Sequence, residues 1–155
     1  MFINLVLISP VIAADTSNWV NVSSNIGVNF SMPPNWAWDP VDLTSLGIRT
    51  DKSDAVLIIG CTPLNVSVSE ARSENITRDV TSELSDLHVP NVSEVKYDNK
   101  TAIASGTTLD GTIIDYIGKF ENNHYCRWVS EYSDSDAVIK YADTFTTIIE
   151  GTTFF

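Results

Sequence analysis

Three apolar runs in the second half of the chain are separated only by short turn signals, and this spacing constrains the fold more than any other feature. The runs are Thr101–Leu109, Thr112–Phe120 and His124–Tyr132. Asp110-Gly111 joins the first two and is typical of a two-residue hairpin, because both central positions of that turn take positive φ. Glu121–Asn123 makes the second turn. Strands connected this closely pair antiparallel, so the sequence predicts an antiparallel meander.

Further strands are predicted before the meander. The run Ile26–Met32 alternates between apolar and polar or small residues, a period of two that is typical of a half-buried strand. Ala55–Cys61 is continuously apolar and predicts a strand covered on both faces. A short strand is expected over Val92–Tyr97. We expect a loose polar arm over Asp15–Ser24 and a loop over Trp36–Pro40.

Two helices are predicted from their caps and their apolar spacing. Ser67 and Glu70 fit a capping box, and a helix should run from about residue 68 to residue 87. The second helix begins after the Ser133–Asp136 segment and ends with Gly151 as its C′ residue. Its expected apolar stripe comprises Val138, Ile139, Ala142, Phe145, Ile148 and Ile149. Strands, a helix, a meander and a final helix indicate the α+β class, an antiparallel β-sheet flanked by helices.

This order of elements resembles the Mog1/PsbP-like family, including its LpqN-type secreted relatives. The resemblance rests on the strand and Pro-containing turn Val28–Trp36, the helix that follows Cys61–Glu70, the hairpin Ala104–Tyr116 and the closing segment Phe145–Gly151. It implies an α/β/α sandwich over a single domain at residues 25–151, and non-catalytic accessory or partner-binding roles. It supplies no active-site motif, and a fold does not specify a function.

The first residues favour export. Met1–Ala14 is uncharged and mostly apolar, and it is too short to span a membrane. Small residues around Ala13 and Ala14 suit cleavage after either one, so we interpret residues 1–14 as a signal peptide. The absence of Lys or Arg at its start departs from the usual pattern, and the alternative is a buried first strand.

Six Asn-X-Ser/Thr triplets and two cysteines agree with export. The triplets exceed what the composition gives by chance, and each is a candidate glycosylation site. Cys61 and Cys126 are the only cysteines. They are a candidate disulfide in an oxidising compartment, and the alternative is two buried thiols. The candidate glycan acceptors are Asn21, Asn29, Asn65, Asn75, Asn91 and Asn99.

Charge and motifs exclude several classes of function. A formal net charge of −11 disfavours nucleic acids and anionic membranes as partners. Gly-rich phosphate loops and the Gly-X-Ser-X-Gly elbow are absent from the sequence. His88 and His124 are interpreted as surface histidines. Asp134 and Asp136 fit a helix start better than a calcium loop. The sequence therefore predicts no catalytic, cofactor-binding or metal-binding residues.

Trp36 and Trp38 are the candidate partner-binding residues, because indoles beside prolines can form an exposed platform. The alternative, which we favour, is that they close one end of the core.

The sequence predicts an exported, non-catalytic accessory domain that binds an extracytoplasmic protein or envelope partner and does not span the membrane after leader removal. It does not identify the partner or the oligomeric state. The alternatives are a structural envelope component and a small extracytoplasmic hydrolase, which requires a pocket with two inward carboxylates of perturbed pKa.

Overall fold

The predicted meander forms the middle of a large antiparallel sheet. The structure, a computed structural model, describes residues 14–63, 73–98, 100–121 and 124–154. The meander strands are β8 (Thr101–Thr107), β9 (Ile113–Glu121) and β10 (His124–Tyr132). The other strands are β1 (Val20–Ser23), β2 (Val28–Met32), β3 (Ala37–Pro40), β4 (Ser45–Arg49), β5 (Ala55–Pro63), β6 (Asn91–Val92), β7 (Lys96–Asp98) and β11 (Thr153–Phe154), and the helices are α1 (Ser73–Asp86) and α2 (Ser135–Gly151).

The strands form two sheets. The large sheet has eight strands in the order β3-β4-β5-β10-β9-β8-β6, with β7 also paired to β8. The small sheet has the order β1-β2-β11. Neighbouring strands in both sheets are antiparallel. This architecture confirms the predicted α+β class.

The large sheet lies between two helical layers because successive residues of a strand point to opposite faces. On β10, Trp128 packs into a core with α2 and the small sheet. The next residue, Val129, packs into a second core with α1. Aromatic rings fill the first core: Phe145 of α2 lies 5.7 Å from Trp36 and 5.5 Å from Tyr132, measured between ring centroids. The result is the predicted α/β/α sandwich.

Two segments expected to be irregular are strands. The Asp15–Ser24 arm contains β1, which pairs with β2 so that Val22 faces Phe30. The Trp36–Pro40 loop contains β3, an edge strand whose Pro40 faces Leu46. Edge strands often carry proline and polar residues, which protect the edge from further pairing. In β3, Asp39 and Pro40 interrupt the apolar pattern that would indicate a strand. The prediction also missed β4.

The turn at Asp110-Gly111 is wider than predicted. Gly111 has a φ of 92°, but Asp110 is not among the described residues with positive φ. The connection spans Thr108–Thr112, and the backbone N–H of Gly111 donates to the Thr108 carbonyl at 3.1 Å. The hairpin is therefore correct, and the two-residue turn is wrong.

The phase and the end of α2 also differ from the prediction. The expected C′ residue Gly151 lies inside the helix, and Thr152 is the C-cap. Ile139 is 84% exposed, because the buried face passes through Ala137, Tyr141, Phe145 and Ile148. The expected strand over residues 92–97 is divided into β6 and β7. The leader, apart from Ala14, and the Ser67–Glu70 capping box lie outside the described residues.

Candidate partner-binding site

The two tryptophans of the proposed platform lie against the core. Trp36 is 9% exposed and packs edge-on against Tyr141 at 5.7 Å and Phe145 at 5.7 Å. Trp38 is partly buried, with its ring 6.3 Å from that of Phe30. This packing favours the interpretation in which the indoles close one end of the core, and it leaves little of Trp36 for a partner to contact.

Cys61 and Cys126 form a disulfide across the middle of the large sheet. They face each other in the β5–β10 register, and their Cα atoms are 4.1 Å apart. Cys61 is 8% exposed and Cys126 is 1% exposed. The bridge joins positions separated by 65 residues, and it links the N-terminal strands directly to the meander.

Two of the glycosylation triplets lie side by side on the small sheet. Asn21 faces Ser31, and Ser23 faces Asn29, so each acceptor is opposite the hydroxyl residue of the other triplet. The hydroxyl of Ser31 donates to Oδ1 of Asn21 at 2.6 Å. The middle residues of both triplets are buried, which turns the Asn and Ser side chains outward. Asn75 lies in α1 and Asn91 in β6, but their side chains, and all of Asn65 and Asn99, are outside the described set.

The acidic residues at the start of α2 stabilise the helix. Asp134 is the N-cap, and its Oδ1 accepts the backbone N–H of Ala137 at 2.9 Å. Asp136 lies in the first turn, where a negative charge favours the helix dipole. Within the described ranges, three or more metal-ligating side chains are nowhere grouped to hold an ion. No helix there is long and apolar enough to cross a membrane.

A groove crosses one end of the large sheet, and we take it as the candidate site. It consists of two adjoining cavities of about 400 Å³ and about 190 Å³ that share Thr112 and Glu131. Its walls come from the end of α1, the β4–β5 turn, the β8–β9 connection and the β10–α2 connection. The larger cavity is also lined by Leu87, His88, Thr108, Leu109, Asp110 and Ile114. Another concavity, of about 470 Å³ beside Trp19 and α2, is lined by no ionisable side chain.

Two carboxylates of the groove are held by hydrogen bonds that support the fold. Asp54 accepts the Thr50 hydroxyl at 2.7 Å and the Tyr141 hydroxyl at 3.1 Å, which fastens the β4–β5 turn to α2. Asp110 accepts the backbone N–H of Thr112 at 3.2 Å within its own loop. These two carboxylates therefore stabilise the walls of the groove.

Glu131 is different. Its cross-strand neighbours are Val56 on β5 and Ile114 on β9, so apolar side chains flank it on both sides. Its carboxylate makes no hydrogen bond or ion pair with another described residue, and burial raises the pKa of this carboxyl. The groove thus offers one unengaged carboxylate, whereas the hydrolase alternative requires two.

Left-handed backbone occurs at both ends of the groove. His88 has a φ of 59° and Ser53 has a φ of 56°. His88 follows α1, where the N–H of Val89 donates to the Leu84 carbonyl at 3.1 Å and the N–H of His88 donates to Ser85 at 2.9 Å. This is a Schellman motif, in which glycine usually occupies the position of His88. His88 has a Cβ, so the left-handed backbone at this position carries a conformational cost.

A polar network missed by the sequence analysis fastens α1 to the sheet. Nε of Arg127 lies 2.7 Å from Oε1 of Glu83, and the Tyr116 hydroxyl donates to Oε2 of Glu83 at 3.0 Å. The hydroxyls of Tyr116 and Tyr125 are 2.6 Å apart. Burial raises the pKa of Tyr116, which keeps it protonated. A Cβ at Gly118 would overlap the Tyr125 phenol. Alternation along β10 places Tyr125 and Arg127 on one face, but only the fold brings Glu83 to them.

The element order and the two sheets define an α+β domain of the PsbP-like fold. No protein-family model matches the chain, and no curated protein matches it in sequence. Among solved structures, it is similar to the solution structure of cyanobacterial PsbP (CyanoP) from Synechocystis sp. PCC 6803, with a TM-score of 0.62 and 11% identity over 96% of this chain and 99% of that chain. Likeness at this identity shows the fold alone, and at that level it confirms the predicted resemblance.

Proposed function

We propose that this protein is an exported, non-catalytic accessory domain that binds a protein partner in the extracytoplasmic space. The observation that carries the proposal is the buried Cys61–Cys126 bridge within a PsbP-like fold. Structural disulfides form and persist in oxidising compartments and are rare in reducing ones. The apolar leader over residues 1–14 and the six glycosylation triplets support the same compartment.

The carboxylates of the groove favour binding over catalysis. Asp54 and Asp110 hold the groove walls together through their own loops. His88 and Asp110 line the same cavity as Glu131, but neither forms a hydrogen bond or ion pair with its carboxylate, whereas hydrolytic chemistry requires a coupled acid and base. A concave surface that combines apolar side chains with one carboxylate free of hydrogen bonds is suited to recognising a side chain of another protein.

The paired triplets on the small sheet are compatible with partner binding at the groove. Asn21 and Asn29 lie on the sheet that packs with α2, whereas Glu131 points to the other face of the large sheet, beside Val129. Glycans on Asn21 or Asn29 would therefore cover a different side of the domain.

Export is tested by expressing the full chain in a secretion-competent host and measuring its location and intact mass. We expect a chain that begins at Ala14 or Asp15, lies outside the cytoplasm and carries no free thiol. Leu7→Arg places a charge in the apolar leader and should retain the chain inside, whereas the matched control Leu7→Ile should be exported. A cytoplasmic chain with its leader intact and both thiols free would contradict the proposal.

A further inference from the structure

We propose that the groove binds a lysine or arginine side chain of the partner protein, with the Glu131 carboxylate as its counter-ion. This inference rests on the proposed function and specifies the chemistry of the partner. It starts from the Glu131 carboxylate, which makes no hydrogen bond or ion pair with another described residue.

The environment of Glu131 favours a compensating charge from outside the chain. Val56 and Ile114 flank it in the sheet, and Ile114 is only 1% exposed. A carboxylate placed among apolar groups is unfavourable unless a cation pairs with it. The groove is open at Glu131, so a cationic group can reach the carboxylate from solvent.

The shape of the groove fits a basic side chain better than a metal ion. A divalent cation needs several oxygen ligands, and the oxygens of Asp54 and Asp110 that face their own loops are already hydrogen-bonded. Leu87 and Leu109 line the same cavity as Glu131, and Leu109 is 83% exposed. Such walls suit the aliphatic stem of a lysine or arginine, whose charged end then meets the carboxylate.

The net charge of the whole chain also favours a basic partner. A net charge of −11 attracts basic segments and repels acidic ones, which accelerates encounter with a cationic partner. His88 at one end of the groove retains a left-handed backbone that glycine would adopt without cost. A strained residue on the wall of a groove is a common property of binding sites.

The test is an NMR titration of the purified, oxidised protein. The probes are a short blocked peptide with one central lysine and the same peptide with an acetylated lysine, which has no charge. We expect the lysine peptide to shift the backbone amide signals of Leu87, Thr112 and Glu131, and to lower the pKa of the Glu131 carboxyl. The acetylated peptide should leave these signals unchanged.

Two substitutions that remove the same charge separate the groove from general attraction. Glu131→Gln should weaken lysine-peptide binding by about ten- to a hundredfold. Glu150→Gln removes a charge at the exposed, opposite end of α2 and should leave the affinity within about twofold. Glu131→Gln removes an unpaired, partly buried charge, so the variant should fold at least as stably as the parent.

Equal binding of both peptides, equal weakening by both substitutions, or no shift at the groove would overturn the inference. These outcomes are independent of the export assay, because the titration uses purified protein. A chain that is exported but does not bind the lysine peptide retains the proposed function and loses this site. A chain that binds the peptide but stays in the cytoplasm has the site and loses the proposed function.

Discussion

Breaking the Cys61–Cys126 bridge should lower the free energy of unfolding by about 4 kcal/mol. The bridge closes a loop between positions separated by 65 residues, and the chain-entropy relation for a loop of that length gives about 4 kcal/mol at 25 °C. The effect arises in the unfolded state, because an unlinked chain gains conformations that the loop forbids. Domains have roughly 5–15 kcal/mol of stability in total, so this loss is a large part of it.

The measurement is urea unfolding followed by tryptophan fluorescence for three species. Oxidised protein and reduced protein differ only in the cross-link, so their difference isolates the loop term. The double variant Cys61→Ala/Cys126→Ala also loses two buried sulfur atoms, and it should be less stable than reduced protein by about 1 kcal/mol for each atom. Reduction should also raise the urea m-value, since the unlinked unfolded chain exposes more surface.

Oxidised and reduced protein that unfold at the same urea concentration with the same m-value would refute a stabilising effect of the bridge on the unfolded chain. Thiol counting on both samples is the control, because it establishes that one carries the bridge and the other does not. A reduced protein that is unfolded before urea is added would agree with the expected sign, and its stability would then be measured with a stabilising osmolyte present.

Four further outcomes follow from individual side chains, each measured by urea or thermal unfolding. Phe145→Ala should cost about 3–5 kcal/mol, whereas Ile139→Ala on the same helix, 84% exposed, should stay within about 0.5 kcal/mol; similar losses would mean that the buried face of α2 is wrongly placed. His88→Gly should stabilise by about 0.5–1 kcal/mol by relieving the left-handed backbone, and a loss would contradict that strain. Asp134→Ala should cost about 1 kcal/mol through the lost N-cap, and no change would show that the cap contributes little. Burial raises the pKa of Glu131, so the unfolded chain releases this proton at lower pH than the folded chain, and stability is lost as pH rises through the folded pKa. Glu131→Gln should remove that loss, and parallel pH profiles for parent and variant would contradict the assignment.

The elements that local sequence specifies were predicted well. The meander follows from the period-two runs and the turn signal at Gly111, and α2 follows from the cap at Asp134 and its helical spacing. The resemblance in element order was enough to indicate the α/β/α sandwich. These features depend on residues that are close together in the chain, so a local pattern contains them.

The remaining features depend on contacts between distant residues. β1 and β3 are edge strands of only four residues, too short for a local pattern to specify, and they form because β2 and β4 offer backbone partners. β4 is also short, with only Leu46 and Ile48 as apolar residues on either side of Gly47. The strand count was therefore underestimated wherever pairing, rather than pattern, stabilises the strand.

The candidate site was largely outside the reach of sequence reasoning. The two cysteines were identified, but only the β5–β10 register places them opposite each other. Trp36 was offered as an exposed platform or a core residue, and its packing against α2 favours the core. Glu131 is one of 20 acidic residues, and the sequence has no signal that selects it.

The sequence by itself determined the α+β class, the meander and the start of α2, because turns, caps and periodicity act over a few residues. Only the tertiary structure decided that the cysteines pair, that the tryptophans pack against the core, and that Glu131 lies in a groove. The physical reason is that the burial and pairing of these side chains depend on which strands lie side by side. In this fold β5 lies beside β10, although α1 and the strands β6–β9 separate them in the chain.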